Sequence, residues 1–306
     1  MRERRAAAAT ARALVLAAAL AAALAAGCAS GGGAGARGPR LVAGATPAPV
    51  DSATLLMWRF DETGGPRVAD SGPLRIEGRA GVDTRTEFGR LRNARLFTAS
   101  LESFAYAPYR PVLDPIAGFT VEAWIRPVAF GAYELTPIAG RWTAQPSEQS
   151  WLFALVGRGL TPVIAGRPSP GTFASHVAGG GPGRLMFLYQ PEDAGPARAY
   201  FSSVPVELER WTHVAVSFDG QVVRFYLDGM PDSQHAATGR IRDSRAPLLV
   251  GNAFDWRGLS DFGGELRAEG VLDRTPYYAF QGDIDELRLS TVARTEFPHA
   301  RFGGGR

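Results

Sequence analysis

The chain has 306 residues, a formal net charge of +3 and a single cysteine. The first twelve residues contain four arginines and one glutamate, so they carry this whole excess and the remainder is close to neutral. The absence of a basic cluster argues against a nucleic-acid partner, and one cysteine excludes an internal disulfide.

Residues 1–27 are predicted to be a signal peptide. The apolar run Ala13–Gly27 follows the arginines; it is shorter than the roughly 20 residues that span a bilayer but suits the hydrophobic region of a signal peptide. The run ends in Leu24-Ala25-Ala26-Gly27-Cys28, which resembles the lipobox of bacterial lipoproteins. That resemblance implies cleavage before Cys28, lipidation of Cys28 and anchoring to a membrane. An ordinary secretory signal with an incidental cysteine is the alternative.

Residues 28–53 are rich in Gly, Ala and Pro and are expected to form a flexible tether. Ala29, directly after the cysteine, resembles the sorting pattern of outer-membrane lipoproteins. We therefore expect an exported protein, lipid-anchored to the bacterial cell envelope, in the outer membrane where the cell has two. The folded domain is predicted over residues 54–297, followed by a disordered tail at residues 298–306.

Within this domain, short segments alternate apolar and polar residues and are separated by Gly, Pro and Asp clusters. In chain order they are LLMWRF, GFTVEAWIRP, SWLFALVG, RLMFLYQ, APLLVGN and DIDELRLS. No convincing stretch has the helical period. The pattern predicts an all-β sandwich or barrel.

The segment WTHVAVSFDGQVVRFYLDG, residues 211–229, is the clearest hairpin. Asp219-Gly220 lies between two alternating runs, which is typical of a two-residue turn with positive φ at both positions. With that turn, Val216 lies opposite Val223. One face of the hairpin is then almost wholly apolar and is expected to face the core.

These segments together resemble the laminin G-like branch of the concanavalin A-like lectin/glucanase superfamily. The resemblance rests on LLMWRFDETGGPRVADSG, GRLRNARLF, GFTVEAWIRP, the hairpin, LLVGN and GDIDELRLS, in that order, over about residues 54–292. It implies a two-sheet antiparallel jelly-roll sandwich. The superfamily includes carbohydrate-binding, adhesion and enzyme-appended modules, so the fold alone does not fix the function.

A calcium site is the first candidate site. Period two places Asp285 on the same face as Leu287 and Leu289, and a buried carboxylate needs a partner. The family resemblance implies a structural Ca²⁺ held by Asp285 with the acidic pair Asp61 and Glu62, completed by backbone oxygens. The alternative is that Asp285 accepts hydrogen bonds from a neighbouring loop.

Aromatic residues in long connections are the second candidate site, because an aromatic ring can stack on a sugar ring. Trp142 is expected in a polar loop. Trp256, Tyr277 and Tyr278 lie in the connection 254–282, which is longer than a compact domain normally allows without a function. The alternative is that this connection covers a sheet with its aromatic rings turned inward.

We find no Glu-x-Asp-x-x-Glu pattern and no other catalytic motif. The histidines of the domain lack an evident partner, and His213 is expected to pack against Tyr226 within the sheet. The sequence therefore favours a non-catalytic, surface-anchored carbohydrate-binding or adhesion module whose partner is a glycan. A structural lipoprotein that binds an envelope or surface protein is the alternative, and a glycoside hydrolase with a non-standard site ranks last.

Overall fold

The structure is a computed structural model, and it describes residues 46–114, 118–143, 145–164, 167–168, 171, 173–193, 195–268 and 277–301. All of these belong to one compact unit, Leu41–Arg306. Cys28 lies outside the described residues. No helix in the described ranges has both the length and the apolar character needed to cross a bilayer.

The fold is built almost wholly from strands. In chain order they are β1 (Thr54–Trp58), β2 (Arg67–Val68), β3 (Gly78–Ala80), β4 (Arg85–Phe88), β5 (Asn93–Thr98), β6 (Ala105–Ala107), β7 (Phe119–Ala129), β8 (Leu135–Trp142), β9 (Gln149–Val156), β10 (Val163–Ile164), β11 (Arg167–Pro168), β12 (Arg184–Tyr189), β13 (Arg198–Pro205), β14 (Thr212–Phe218), β15 (Val222–Leu227), β16 (Met230–Ala236), β17 (Leu248–Val250), β18 (Asn252–Ala253), β19 (Ser260–Phe262), β20 (Glu265–Arg267), β21 (Tyr278–Ala279) and β22 (Gln281–Ser290). Single 3-10 turns cover Pro111–Leu113, Pro146–Glu148, Trp256–Gly258 and Pro298–Ala300.

The described residues form a sandwich of two eight-stranded antiparallel sheets. Sheet A has the order β16-β15-β14-β7-β22-β5-β4, with β1 also paired to β22. Sheet B has the order β13-β12-β9-β8-β17-β6-β3-β2. The inner faces of the sheets enclose one core. Its largest buried side chains include Trp58, Phe97, Phe225, Trp151, Phe153 and Phe187. The predicted all-β jelly-roll sandwich is confirmed.

The outer face of sheet B is also buried, which explains why SWLFALVG and RLMFLYQ read as nearly continuous apolar runs. Leu152 and Met186 on that face belong to a second cluster with Phe173, from the segment after β11, and with Tyr278. A third cluster packs Phe254 and other residues of the 254–282 connection on the same side. The described parts of these two connections therefore cover sheet B.

The turn of the β14–β15 hairpin differs from the predicted one. Val216 pairs with Phe225, not Val223, so the two central residues are Gly220 and Gln221. The side chain of Asp219 accepts hydrogen bonds from the amides of Gln221 and Val222 at 2.9 and 2.7 Å, and this capping moves the turn by one residue. The shift changes the register by two, so the predicted apolar residues still face the core.

A bulge in β22 overturns the predicted orientation of Asp285. Trp124 pairs with Asp285 and Glu122 with Arg288, so two residues of β22 oppose one residue of β7. Glu286 has φ +51, in the left-handed region, at this point. Asp285 consequently shares the outer face of sheet A with Trp124, while Leu287 and Leu289 remain in the core.

Both ends of the described domain lie outside the predicted limits. Ala48, assigned to the tether, is buried, and its amide donates to Glu286 Oε2 at 2.9 Å. His299 and Ala300, assigned to the disordered tail, are also buried. The two end segments pair directly, because the amide of Thr46 donates to the carbonyl of His299 at 3.4 Å. They cover part of the outer face of sheet A.

Candidate functional site

A cluster of four buried polar side chains lies under the terminal segments on the outer face of sheet A. Glu122 comes from β7, His213 and Arg288 come from the neighbouring strands β14 and β22, and His299 comes from the last 3-10 turn. Each is 6% exposed or less. We call these residues the Glu122 cluster.

Glu122 is at the centre of the hydrogen bonds in this cluster. Arg288 donates to Oε1 from Nε at 2.7 Å and from Nη2 at 2.6 Å. The Nε2 atoms of His213 and His299 lie 3.0 and 2.9 Å from Oε2. Arg288 also donates from Nη1 to the carbonyl of Pro49 at 2.5 Å. The cluster therefore connects three adjacent strands to both terminal segments.

The electrostatics favour an ionised Glu122 and a neutral His213. Burial alone would raise the pKa of Glu122, but hydrogen bonds from His213 and His299 and the charge of Arg288 hold that pKa well below its ordinary value. Burial also lowers the pKa of His213, and the attraction of Glu122 only partly opposes this. Because a carboxylate accepts only, each histidine donates from Nε2.

A carboxylate with two histidines is also a familiar metal-binding set, and these ligand atoms lie within 4.8 Å of one another. Two observations argue against a metal here. A divalent cation at Oε2 would add charge beside the buried guanidinium of Arg288. Metal-bound histidines also donate their second nitrogen to an acceptor, whereas Nδ1 of His213 and of His299 has no hydrogen-bond partner among the described residues. We assign the cluster a structural role.

Sequence reasoning missed this cluster. It expected His213 to pack against Tyr226, whereas Tyr226 pairs with Ala215 and the His213 ring packs edge-on against Trp124 with centroids 5.5 Å apart. The outward-facing positions of Glu122 and His213 on adjacent strands could have indicated this cluster from the sequence. His299 gave none, since it falls in the segment expected to be disordered.

The three predicted calcium ligands do not share one set of contacts. Asp285 Oδ2 accepts from the amide of Leu91 at 2.9 Å, and its Oδ1 is buried without a hydrogen-bond partner among the described residues. Burial, then the charges of Glu286 and Asp61, raise the pKa of Asp285 well above its ordinary value. Asp61 therefore lies near enough to act on Asp285.

Glu62 points elsewhere. Its Oε1 accepts from the amide of Ala69 at 2.7 Å, and its Oε2 lies 3.6 Å from Nη2 of Arg95. Asp61 accepts from the amide of Asn93 at 3.3 Å and lies 3.6 Å from Arg92. The charge of Asp61 thus acts on Asp285, whereas the two carboxylate oxygens of Glu62 face Ala69 and Arg95.

Two of the four predicted sugar-stacking residues are buried. Trp142 ends strand β8 instead of lying in a loop, and only 3% of it is exposed. Tyr278 is 2% exposed and packs edge-on against Phe173, with centroids 5.0 Å apart. The prediction of exposed rings is wrong for both residues, because the long connections fold over sheet B and bury aromatic surface there.

Trp256 and Tyr277 remain partly exposed. Trp256 begins a 3-10 turn, and its indole Nε1 donates to Glu148 Oε2 at 2.9 Å, which fixes the ring. Tyr277 packs at the margin of the cluster around Phe254. Burial raises the pKa of Tyr277, so its phenol stays protonated and can both donate and accept.

Tyr277 lines a pocket of about 230 Å³, which we call the aromatic pocket. Phe130 and Tyr133 contribute partly exposed rings, and Arg158 and Gln281 contribute exposed polar groups. Two or three aromatic surfaces with a few polar groups at the rim are typical of a small-ligand site.

Comparison with known proteins agrees with the fold. A family model described as the concanavalin A-like lectin/glucanases superfamily matches residues 102–296, more than half of the chain. No curated protein matches. The binding domain of Paraclostridial mosquitocidal protein 1 is a similar solved structure, with a TM-score of 0.52 and 10% identity over 79% of this chain and 49% of that chain.

Two botulinum neurotoxin structures are also similar. The serotype G binding domain has a TM-score of 0.50 and 12% identity, over 79% of this chain and 48% of its own. A structure of botulinum neurotoxin type C, a toxin whose cell entry depends on interaction with two ganglioside molecules, has a TM-score of 0.50 and 10% identity over 79% of this chain and 48% of its own. The chain spans about half the length of these structures, and at such identities the similarity shows the fold alone.

Proposed function

Because the chain belongs to the concanavalin A-like lectin/glucanases superfamily, we propose that it is a non-catalytic carbohydrate-binding module, and that the aromatic pocket beside Tyr277 binds the sugar. The partly exposed ring of Tyr277 at this pocket carries the proposal. The dependence of the type C toxin on gangliosides supports a glycan partner by analogy.

The chemistry of the pocket suits a sugar. The rings of Tyr133 and Tyr277 offer apolar surface to the C–H face of a pyranose, and their hydroxyls with Gln281 and Arg158 offer hydrogen bonds to its hydroxyls. The volume of about 230 Å³ is below the usual range for drug-sized ligands. The pocket therefore fits one sugar unit, and the rest of a glycan would lie outside.

Replacing Tyr277 by alanine is expected to weaken glycan binding by about tenfold or more, because a stacked aromatic surface and a phenol are both removed. A glycan array identifies the ligand, and titration calorimetry then compares dissociation constants. Phe262→Ala is the matched control, since Phe262 lies in the same connection, is 55% exposed and does not line the pocket. Equal affinity in wild type and Tyr277→Ala would refute this site.

The array also separates the remaining functions. If no glycan on the array binds, the sugar proposal is refuted and an envelope or surface protein is favoured as the partner. Turnover of a polysaccharide by the pure protein would favour the hydrolase.

We further propose that Cys28 carries lipid and anchors the domain to the cell envelope. The lipobox-like residues before Cys28 support this proposal. Mass spectrometry of the mature N-terminal peptide is expected to show an acylated Cys28. An unmodified cysteine, or a mature chain that begins after Cys28, would contradict it.

A structural Ca²⁺ near Asp285 is also proposed. The buried, unpartnered Oδ1 of Asp285 and the nearby carboxylate of Asp61 fit a hard cation, which prefers oxygen ligands. Glu62 fits less well, because its two oxygens face Ala69 and Arg95. A bound cation would neutralise the carboxylates and tie β22 to the loop after β1.

Excess chelator is expected to lower the melting temperature of the wild type, because ion binding stabilises the folded state. Asp285→Asn is expected to remove this response. In chelator, the variant is expected to melt above the wild type, because the neutral amide is cheaper to bury than an uncompensated carboxylate. Thermal melts with Ca²⁺ and with chelator measure both effects. A wild-type melt that chelator leaves unchanged rules the ion out.

A further inference from the structure

A second pocket opens at the lateral edge of the sandwich, where both sheets end. Strand β4 is the last strand of sheet A and β2 is the last of sheet B. Between them lies a cavity of about 400 Å³, which we call the edge cleft. Its lining includes Gly64, Gly65, Arg85, Thr86, Arg95 and Glu265, the last from the β19–β20 hairpin.

Arg95 is unusual in this cleft. It pairs with Ile284 on β22 and shares the inner face of sheet A, so its guanidinium lies among core residues and is 2% exposed. It donates from Nη1 to the carbonyl of Gly65 at 3.2 Å. Its Nε and Nη2 have no hydrogen-bond partner among the described residues.

The comparison with other arginines shows that this edge of the guanidinium normally holds an acceptor. Arg126, Arg257 and Arg288 each direct both Nε and Nη2 to a carboxylate, at 2.6 to 2.8 Å. Such a side-on fork is the preferred geometry of arginine recognition. Arg95 lines the edge cleft, and its own fork is buried and lacks these acceptors among the described residues.

Other unused polar atoms lie beside this fork. Oε2 of Glu62, 3.6 Å from Nη2 of Arg95, is buried without a hydrogen-bond partner, as is Oγ1 of Thr86, which lies opposite Arg95 in the sheet. Two donors, one acceptor and one hydroxyl are therefore grouped beside the cleft. A polar contact as long as 3.6 Å is typical of a position that a bridging group can fill.

We propose that the edge cleft binds the vicinal diol of a neutral sugar. Two adjacent hydroxyl oxygens accept from Nε and Nη2 of Arg95, and one of these hydroxyls donates to Oε2 of Glu62. That the diol belongs to a sugar rests on the proposed function, whereas the need for an acceptor at Nε and Nη2 of Arg95 and for a donor at Oε2 of Glu62 follows from the unpartnered atoms themselves.

A carboxylate ligand fits the cleft less well. It would satisfy the fork of Arg95, but it would bring a second negative charge beside Glu62 and would leave Oε2 without a donor. A diol satisfies all three atoms and adds no charge.

Nuclear magnetic resonance of the arginine Nε–H groups tests the proposal. The resonance that disappears in Arg95→Met belongs to Arg95. We expect glucose, galactose, mannose or arabinose to shift this resonance saturably, both in the wild type and in Tyr277→Ala, where the aromatic pocket is disabled. Acetate, a carboxylate without a diol, is expected to leave it in place.

Variants sharpen the test. Arg95→Met is expected to weaken binding at this cleft by about tenfold or more, since hydrogen bonds to a charged group are lost. Thr86→Val keeps the shape of the side chain and is expected to weaken binding by about threefold while folding normally. Arg92→Gln, on an 82% exposed side chain that does not line the cleft, is the matched control.

The two proposals fail in different ways. Sugar binding that depends on Tyr277 but never moves the Arg95 resonance overturns the edge cleft and leaves the proposed function in place. A shift with acetate but not with sugars overturns the diol. If no sugar binds at either site, both proposals are wrong.

Discussion

Replacing Glu122 by glutamine is expected to lower the free energy of unfolding by about 3–5 kcal/mol, because it leaves the buried guanidinium of Arg288 without its counter-charge. The amide also cannot accept from Arg288, His213 and His299 together. Urea unfolding measures the loss. Because the cluster binds both terminal segments, the variant is also expected to expose residues 46–50 and 297–301 to protease.

Glu77→Gln is the matched control. Glu77 also pairs with an arginine, Arg67, but it is 50% exposed, so its removal is expected to leave the unfolding midpoint unchanged. The double variant Glu122→Gln/Arg288→Met is expected to be more stable than Glu122→Gln alone, since it removes the unpaired charge as well. If Glu122→Gln unfolds at the wild-type midpoint, the Glu122 cluster does not hold the termini.

The same cluster predicts how acid acts on the protein. Burial lowers the pKa of His213 in the folded state, so below about pH 6.5 the unfolded chain binds a proton that the folded chain does not. This contribution to stability is present above that pH and is lost as pH falls. The raised pKa of Asp285 acts in the opposite direction. The contribution of His213 is therefore obtained by comparing the free energy of unfolding of the wild type and of His213→Gln as a function of pH. A difference that does not change with pH would contradict this prediction.

Asp70→Ala is expected to cost about 3–5 kcal/mol of unfolding free energy. Asp70 is 3% exposed, and its carboxylate accepts from three buried amides, those of Met57, Gly72 and Ile76, at 2.7, 2.7 and 2.6 Å. Alanine leaves these donors without partners, and each unsatisfied donor costs about 1–3 kcal/mol, with less than full additivity. Chemical denaturation measures the change.

Asp70→Asn is expected to fall between alanine and the wild type, because the amide retains one acceptor oxygen. Asp193→Ala is the control. It removes an aspartate that accepts from one amide in an exposed turn, that of Gly195, and it is expected to unfold at the wild-type midpoint. A stable Asp70→Ala protein would show that water replaces the carboxylate.

The sandwich could be predicted from the sequence because strand burial leaves a period-two pattern that needs no tertiary information. Val214, Val216 and Phe225 face the core as expected, and they do so even though the turn at Gly220 shifts the register, because a shift of two preserves the face. The bulge at Glu286 leaves no such trace, so the orientation of Asp285 was predicted wrongly.

The candidate site was only partly predictable, because aromatic residues in connections give the same signal whether they bind a ligand or cover a sheet. Tyr277 lines a pocket, whereas Tyr278, the next residue, is part of the packing on sheet B. The edge cleft could not be predicted from the sequence. Its unusual feature is the unused hydrogen-bonding capacity of Arg95, which depends on the positions of residues more than twenty places away along the chain.

The hydrogen bond between Thr46 and His299 has a consequence for protein engineering. Because the backbone enters and leaves the domain at nearly the same point, residues 46–301 form a cassette that can be inserted into a surface loop of a host protein without stretching the host. The same adjacency allows a circular permutant, in which a short linker joins these ends and new termini open in an exposed loop.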